Sequence, residues 1–214
     1  MTIEEIIEIN NEVYNILAPE YNEKMDLYTK HQMQVLKPFI DVLNENFKND
    51  IHTLDVGCGV GLDLKIMNDH GFKTHGIDYS SKMVEYAKMN NPKSTILNSD
   101  FTSCDFDRQF HGVLLDAFIH LFPKKEVEKI FKKINPVLLH KGFAFISTTK
   151  HNHPREGLFK KEDYKSKIKR YRAYWSADEL EMSINNFGFT IIKQYEDYET
   201  NFKKSWMNFI IQKS

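Results

Sequence analysis

The sequence is poor in cysteine, in long apolar runs and in any excess of one charge, and each shortage removes a class of protein. Two cysteines in 214 residues, Cys58 and Cys104, make neither a disulfide framework nor a metal-ligand spacing. Both read as free thiols of a reducing compartment. No apolar run approaches the roughly 20 residues that span a bilayer. The polar start Met1-Thr2-Ile3-Glu4-Glu5 is no secretory signal, so a cytoplasmic protein without a membrane partner is expected. Lys and Arg number 29 against 30 Asp and Glu, a net charge of -1 that gives no global pull toward nucleic acid. Repeats, low-complexity tracts and linkers are missing too. One domain over 1–214 is expected, a length that buries roughly 70% of the unfolded surface.

Glycine is scarce, nine in all, but three stand at alternate positions in Leu54-Asp55-Val56-Gly57-Cys58-Gly59-Val60-Gly61-Leu62-Asp63. An apolar strand over 51–56 leads into them. A helix follows from Leu62, with Leu64, Ile66 and Met67 on its apolar face and Gly71 as its stop. Such a turn lets a small ligand touch bare backbone beside the N–H groups that open the helix. The spacing is not that of a dinucleotide site, which wants G-x-G-x-x-G; here Leu62 holds the third place and Gly61 comes one residue early. Asp55 would repel a pyrophosphate. It suits a cationic ligand, or a brace for the loop.

This segment resembles the first motif of class I S-adenosylmethionine-dependent methyltransferases, and the resemblance extends over about 35–214. It implies S-adenosyl-L-methionine as cofactor, its methionine part held by Asp55, Gly57, Cys58, Gly59 and Gly61. A second strand over 73–78 ends in Asp78, placed to accept the ribose hydroxyl protons. Tyr79, Ser80 and Met83 follow at the start of a helix running through Met89, with either Ser80 or Ser81 as its cap. A third strand over 94–98 leads to Asp100 and Phe101, which the resemblance places at the adenine. Tyr14 and Tyr21 lie in a stretch similar to the Y-D-x-x-A-x-x-Y-D lid of small-molecule enzymes of this family, with Asn15 and Asn22 where that pattern often has Asp. The lid is expected over 1–34: an amphipathic helix over 2–17, then a loop beyond Pro19 carrying Tyr21.

The remaining periodicity gives a strand over 110–115, a helix over 124–139 kinked or broken at Pro136, and a turn at Lys141-Gly142 before a strand over 143–148. A helix capped by Ser176 and closed by Gly188 precedes two last strands, 189–195 and 206–211. Alternating strands and helices predict an α/β domain with a largely parallel sheet, ending in an antiparallel hairpin. The resemblance implies a Rossmann-like, seven-stranded sheet of order 3-2-1-4-5-7-6 with helices on both faces.

Chemistry is expected beyond the carboxyl ends of these strands. His120 is the first candidate base, and Asp116 is a second catalytic candidate that also touches the cofactor. His31, Tyr28, His151, His153 and Tyr174 remain unranked. Methyl transfer is an in-line displacement, so holding the acceptor about 3–3.5 Å away supplies most of the acceleration. The insertion over 150–175 contains the basic segment 160–172, which reads either as a solvated face or as a lid gripping an anion or RNA. Tyr164, Tyr171, Tyr174 and Trp175 would then wall a flat acceptor.

Several subclasses lack their marks: no Asn/Asp-Pro-Pro-aromatic follows the fourth strand, no cysteine follows a proline, no glutamate lies in 110–123, and no Asp-Asn pair follows the fifth strand. The expectation is a metal-independent transferase acting at O or N of a small molecule, as a monomer or homodimer, with nucleic acid an unfavoured partner. The rival readings are an RNA or tRNA methyltransferase, a non-catalytic S-adenosylmethionine-binding domain, and, least favoured, a nicotinamide dehydrogenase.

Overall fold

The computed structural model describes residues 1–161 and 168–213. Its first element is a 44-residue helix, α1 (Ile3–Asn46), opened by a capping box in which Thr2 and Glu5 satisfy each other's backbone N–H. Then come β1 (His52–Val56), α2 (Leu62–Asp69), β2 (Lys73–Asp78), α3 (Ser81–Asn90), β3 (Thr95–Asn98) and β4 (Phe110–Asp116). Two single 3-10 turns lead to α4 (Val127–Val137) and β5 (Leu138–Thr149). A hairpin of β6 (Arg155–Lys160) and β7 (Lys169–Tyr174) precedes α5 (Ala177–Asn186), β8 (Phe189–Glu199) and β9 (Lys204–Lys213).

Seven strands form one Rossmann-like sheet in the order β3-β2-β1-β4-β5-β9-β8. Pairs from β3 to β5 are parallel, and β9 runs antiparallel to both β5 and β8. With the separate β6–β7 hairpin set aside, this is the expected 3-2-1-4-5-7-6 order. Alternation along the central strands sorts two cores. Val113, Leu115, Ala144, Ile146, Phe209 and Ile211 join α4 and α5 on one face. Leu114, Phe143, Phe145 and Ile210 join α1 and α2 on the other. Helices therefore cover both faces.

Three local expectations change. The helix does not end before Pro19; α1 runs through it and through Pro38. A helical proline costs about 3 kcal/mol, but Leu17, Ala18 and Met25 on either side of Pro19 are buried on the same body, and that packing keeps the rod whole. The turn at Lys141-Gly142 is absorbed into β5 as a register shift, Phe110 pairing with Leu138 and Gly112 with Phe143. The basic segment is a solvated face only in part where it is described: Lys160 and Lys169 are exposed, but Lys161, Arg170 and Arg172 are buried. The cause is that β7 packs on the body, the Tyr171 N–H donating to Asn10 Oδ1 of α1 at 2.9 Å. Tyr171 and Trp175 are core residues there, while Tyr164 lies outside the described residues. Among the described residues no helix is long and apolar enough to cross a membrane.

Candidate functional site

Two cavities meet at the carboxyl ends of β1, β2 and β4, of about 160 and 230 Å³. They share Tyr14, Tyr21, Gly57, Gly59, Asp116 and Ala117 as a common wall.

The smaller cavity is an apolar slot with two acids of its own, Asp78 and Asp100, beside the shared Asp116. Asp78, at the end of β2, accepts the N–H of Gly59 at 2.9 Å and of Ser80 at 2.8 Å, so it braces the glycine loop and still faces the slot. Burial pushes its carboxyl up to about 6, against those two hydrogen bonds. Asp100 accepts from the N–H and hydroxyl of Thr102. Phe101 stands edge-on to Phe118, and Tyr79, Ser80 and Met83 complete the lining. The Ser80 hydroxyl is committed to capping: it accepts from the Met83 N–H and donates to Asn15 Oδ1, which ties α3 to α1.

The glycine loop has room in one direction only. Gly59 has a left-handed φ of 53°, and a side chain there would enter open space; one at Gly57 would strike the Phe118 ring. Such a cradle fits a ligand lying on the main chain. Gly61 lines neither cavity. It caps α2 in the left-handed region and is backed by Asn91 and Ala87, which gives it a structural task in this loop. Ala117, directly after Asp116, also takes a positive φ of 52°, strain that non-glycine residues carry mostly where the surroundings fix it.

The larger cavity collects buried acids. Asp55 of β1, Asp63 of α2 and Asp116 of β4 all line it. Gln32 of α1 donates to Asp63 Oδ1 at 2.8 Å and to Asp116 Oδ2 at 2.6 Å. Burial, followed by the charges of Asp116 and Asp78, raises Asp55 well above the usual carboxylate range. Burial and the charges of Asp116 and Asp55 do the same to Asp63. Burial lifts Asp116 to about 6. Asp55 has no hydrogen-bond partner for its carboxylate among the described residues. Like charges held together without a counter-ion favour a bound cation.

The opposite sign comes from the hairpin and β9. Lys161, Arg170, Arg172 and Lys204 line the same cavity as His120. His120 sits in the 3-10 turn Ile119–Leu121 with Nδ1 at 3.0 Å from the Thr148 hydroxyl. Burial, reinforced by Arg172, Arg170 and Lys161, holds its pKa well below the usual histidine value. Against the expectation of a base titrating near neutrality, the imidazole is held neutral there, as a weaker base than a free histidine. Burial also pushes the Cys58 thiol well up, leaving an inert lining group.

Of the unranked candidates, Tyr28 and His31 line the larger cavity, His31 with Nε2 at 2.9 Å from Asp197. His151 and Tyr174 line a neighbouring groove, and His153 lines none of these spaces. Sequence reading passed over Gln32, Asp63 and Asp197. Asp63 carried a legible signal, a charged residue in the buried first turn of a helix directly after the glycine loop. Gln32, on a long helix far from any motif, carried none. No group of three or more His, Cys, Asp or Glu could hold a metal ion among the described residues.

Residues 53–142 match the family described as methyltransferase domain. A methyltransferase of unassigned substrate from Alkaliphilus oremlandii is 23% identical over 191 residues, 87% of this chain and 83% of that protein. A ubiquinone biosynthesis O-methyltransferase of Rickettsia bellii is 33% identical over 106 residues, 47% of this chain and 42% of that one. The crystal structure of a 1,6-didemethyltoxoflavin-N1-methyltransferase from Burkholderia thailandensis, with its substrate and S-adenosylhomocysteine bound, aligns with a TM-score of 0.76. It is 15% identical and covers 100% of this chain and 91% of that one.

Proposed function

We propose that this chain, a member of the S-adenosylmethionine-dependent methyltransferases, transfers the methyl group to an O or N atom of a small molecule without a metal ion. The observation that carries the reading is the pair of joined cavities, one apolar with ribose-type acids and one lined by buried carboxylates. Adenosine fits the smaller: Asp78 for the ribose hydroxyls, Asp100 for the adenine amino group, and Phe101, Met83 and Tyr79 around the ring. The methionine part fits the junction, over Gly57 and Gly59. Asp55, Asp63 and Asp116 there supply the negative field that a sulfonium and an ammonium need.

When bound, the cofactor supplies a methyl carbon already activated by positive sulfur. The chain's own work is then to orient and to exclude water. Tyr14 and Tyr21, ring centroids 6.0 Å apart, roof the junction from α1. We assign 1–34 as the lid and 150–175 as the acceptor-side wall of a single domain. Neutral His120 acts in this reading as a hydrogen-bonding guide for the acceptor.

The test is mass spectrometry of the ligand that co-purifies, then calorimetry and an acceptor screen with labelled methyl donor. S-adenosylmethionine and S-adenosylhomocysteine are expected to bind and NAD to show no heat. NAD binding without S-adenosylmethionine binding refutes the assignment.

A further inference from the structure

A groove of about 440 Å³ adjoins the larger cavity and shares Lys161, Arg170, Arg172 and Lys204 with it. Lys150, Lys160 and Lys203 also line it, and no carboxylate does among the described residues. A chain of nearly balanced charge overall thus gathers seven cations along one passage into the site, of which Lys150 is ion-paired with Glu196. Field lines focused in such a passage raise the local concentration and on-rate of anions.

Arg172 is where this passage meets the cavity. Its side chain is buried, the residue only 7% exposed. Nη2 donates to the Thr149 hydroxyl at 2.6 Å, and the guanidinium stands 5.6 Å from the Tyr174 ring. Its Nε is buried with no hydrogen-bond partner, and no carboxylate lies within ion-pair reach among the described residues. A buried guanidinium has five donors to satisfy and a desolvation cost that one hydroxyl does not offset. Its planar fork matches the two oxygens of a carboxylate or of a phosphorus oxyacid.

We propose that the methyl acceptor is a small molecule carrying an oxyanion, a carboxylate or a phosphorus oxyacid, which enters along this groove and is anchored by Arg172. The assignment rests on the transferase reading of the same site. It adds the acceptor's chemical class and names Arg172 as the residue that selects it. Burial and the neighbouring Arg170 lower the pKa of Arg172 to about 10, which leaves the group charged at neutral pH. The acids of β1, β4 and α2 and the cations of β7 and β9 then divide one cavity between a cationic cofactor and an anionic acceptor.

The experiment is calorimetry at low ionic strength with inorganic phosphate, methylphosphonate and benzoate. Each is titrated into the full chain with and without S-adenosylhomocysteine. At least one oxyanion should saturate at concentrations where chloride does not compete. Arg172→Met should weaken it about 10-fold or more, while S-adenosylhomocysteine affinity stays within about 2-fold. The phosphorus and carboxylate arms tell the two sources apart. If Arg172→Met folds poorly, Lys204→Gln at the partly exposed mouth should weaken the same anion measurably. Three results overturn the proposal: no saturable oxyanion, equal weakening of S-adenosylhomocysteine by Arg172→Met, or displacement of the anion by bulk tRNA at far lower concentration. The second would mean that the guanidinium holds the cofactor's own carboxylate. Failure of S-adenosylhomocysteine to bind at all refutes the transferase reading instead, and the anion titration without it is still decided by its own outcome.

Discussion

Replacing Asp116 by Asn removes a buried titration while keeping the side chain's shape. In the fold its carboxyl is lifted from 3.8 to about 6, chiefly by burial. At 1.36 kcal/mol per unit, ionising it inside the protein above pH 7 costs about 3 kcal/mol relative to the unfolded chain. The sign follows from the direction of the shift. The folded state holds the proton more tightly, so the group's contribution to stability is intact below about pH 4 and is lost as pH rises through about 6. Asn escapes that loss. The amide oxygen can still accept from Gln32, and the amide nitrogen can donate where Asp116 now shares a hydrogen bond with Asp63, so besides the bond with Ser147 few hydrogen bonds are at stake. Ligand-free Asp116→Asn should therefore match the parent near pH 4 and exceed it at pH 8 by up to about 3 kcal/mol, roughly 6–12 °C in Tm. Circular-dichroism melts of both proteins across that range measure it. A variant that melts lower at pH 8, or a gap that does not change with pH, refutes the claim that burial makes ionising Asp116 costly at this site. The stabilised variant should also bind S-adenosylmethionine more weakly, because the strain it relieves is what attracts the cation.

Asp78→Ala should weaken S-adenosylmethionine about 10- to 150-fold by calorimetry, the worth of hydrogen bonds to a charged group. Because Asp78 also braces Gly59, a modest loss in Tm is expected beside it, and unchanged affinity would leave only the bracing role. S-adenosylmethionine affinity should rise from pH 5 to about 7 and then level off, since Asp116, raised to about 6, must shed its proton to meet a cation, and Asp78, also raised to about 6, must shed its own to accept from both ribose hydroxyls. S-adenosylhomocysteine, without the sulfonium charge, should show a shallower rise, and equal slopes for the two would count against the acid cluster as the sulfonium's partner. His120→Ala should raise the acceptor KM more than it lowers kcat, and the parent's rate should show no step near pH 6–7 assignable to this histidine. A step of that kind that vanishes in the variant would restore His120 as the general base.

The sheet was legible because its strands are short apolar runs that end in glycine or acid, and because the helices between them repeat their apolar residues at helical spacing. Leu62 as the start of α2 was fixed by local chemistry alone, whereas the cap of α3 was left between Ser80 and Ser81 until the fold assigned it to Ser80. Misreadings came where long-range packing overrode local signals. Pro19 signals a break, yet burial of Leu17, Ala18 and Met25 carries α1 through it. Lys161, Arg170 and Arg172 look like a solvated charge run, yet pairing of β6 with β7 and seating on Asn10 turn them inward. Of the polar residues that line the cavities, Asp55, Asp78 and Asp116 stand at strand ends and were singled out; Gln32 and Asp197, delivered from afar, were not, and Asp63 was missed although it directly follows the glycine loop.

The continuity of α1 bears on how the site opens. A lid hinged after residue 17 would swing free of the body, but here one helix performs three tasks along its length. Asn15 binds the cap of α3, Gln32 binds Asp63 and Asp116, and Phe39 and Leu43 are buried among the core residues beneath the sheet. A rod buried at its far end cannot swing as a rigid body without breaking that core. In the lid assignment proposed above, opening is local to its first turns, where the bonds to be broken are those of Asn15 with Ser80 and of Asn10 with Leu121 and Tyr171. Pro19 has no N–H to give to the carbonyl of Asn15, so the helix is weakest just beyond these contacts. Bending there would lift Tyr14 off the junction while Gln32 and the acid cluster stay in place. Cofactor exchange then need not expose the buried carboxylates together, and the cation-attracting field is ready for the next molecule to arrive.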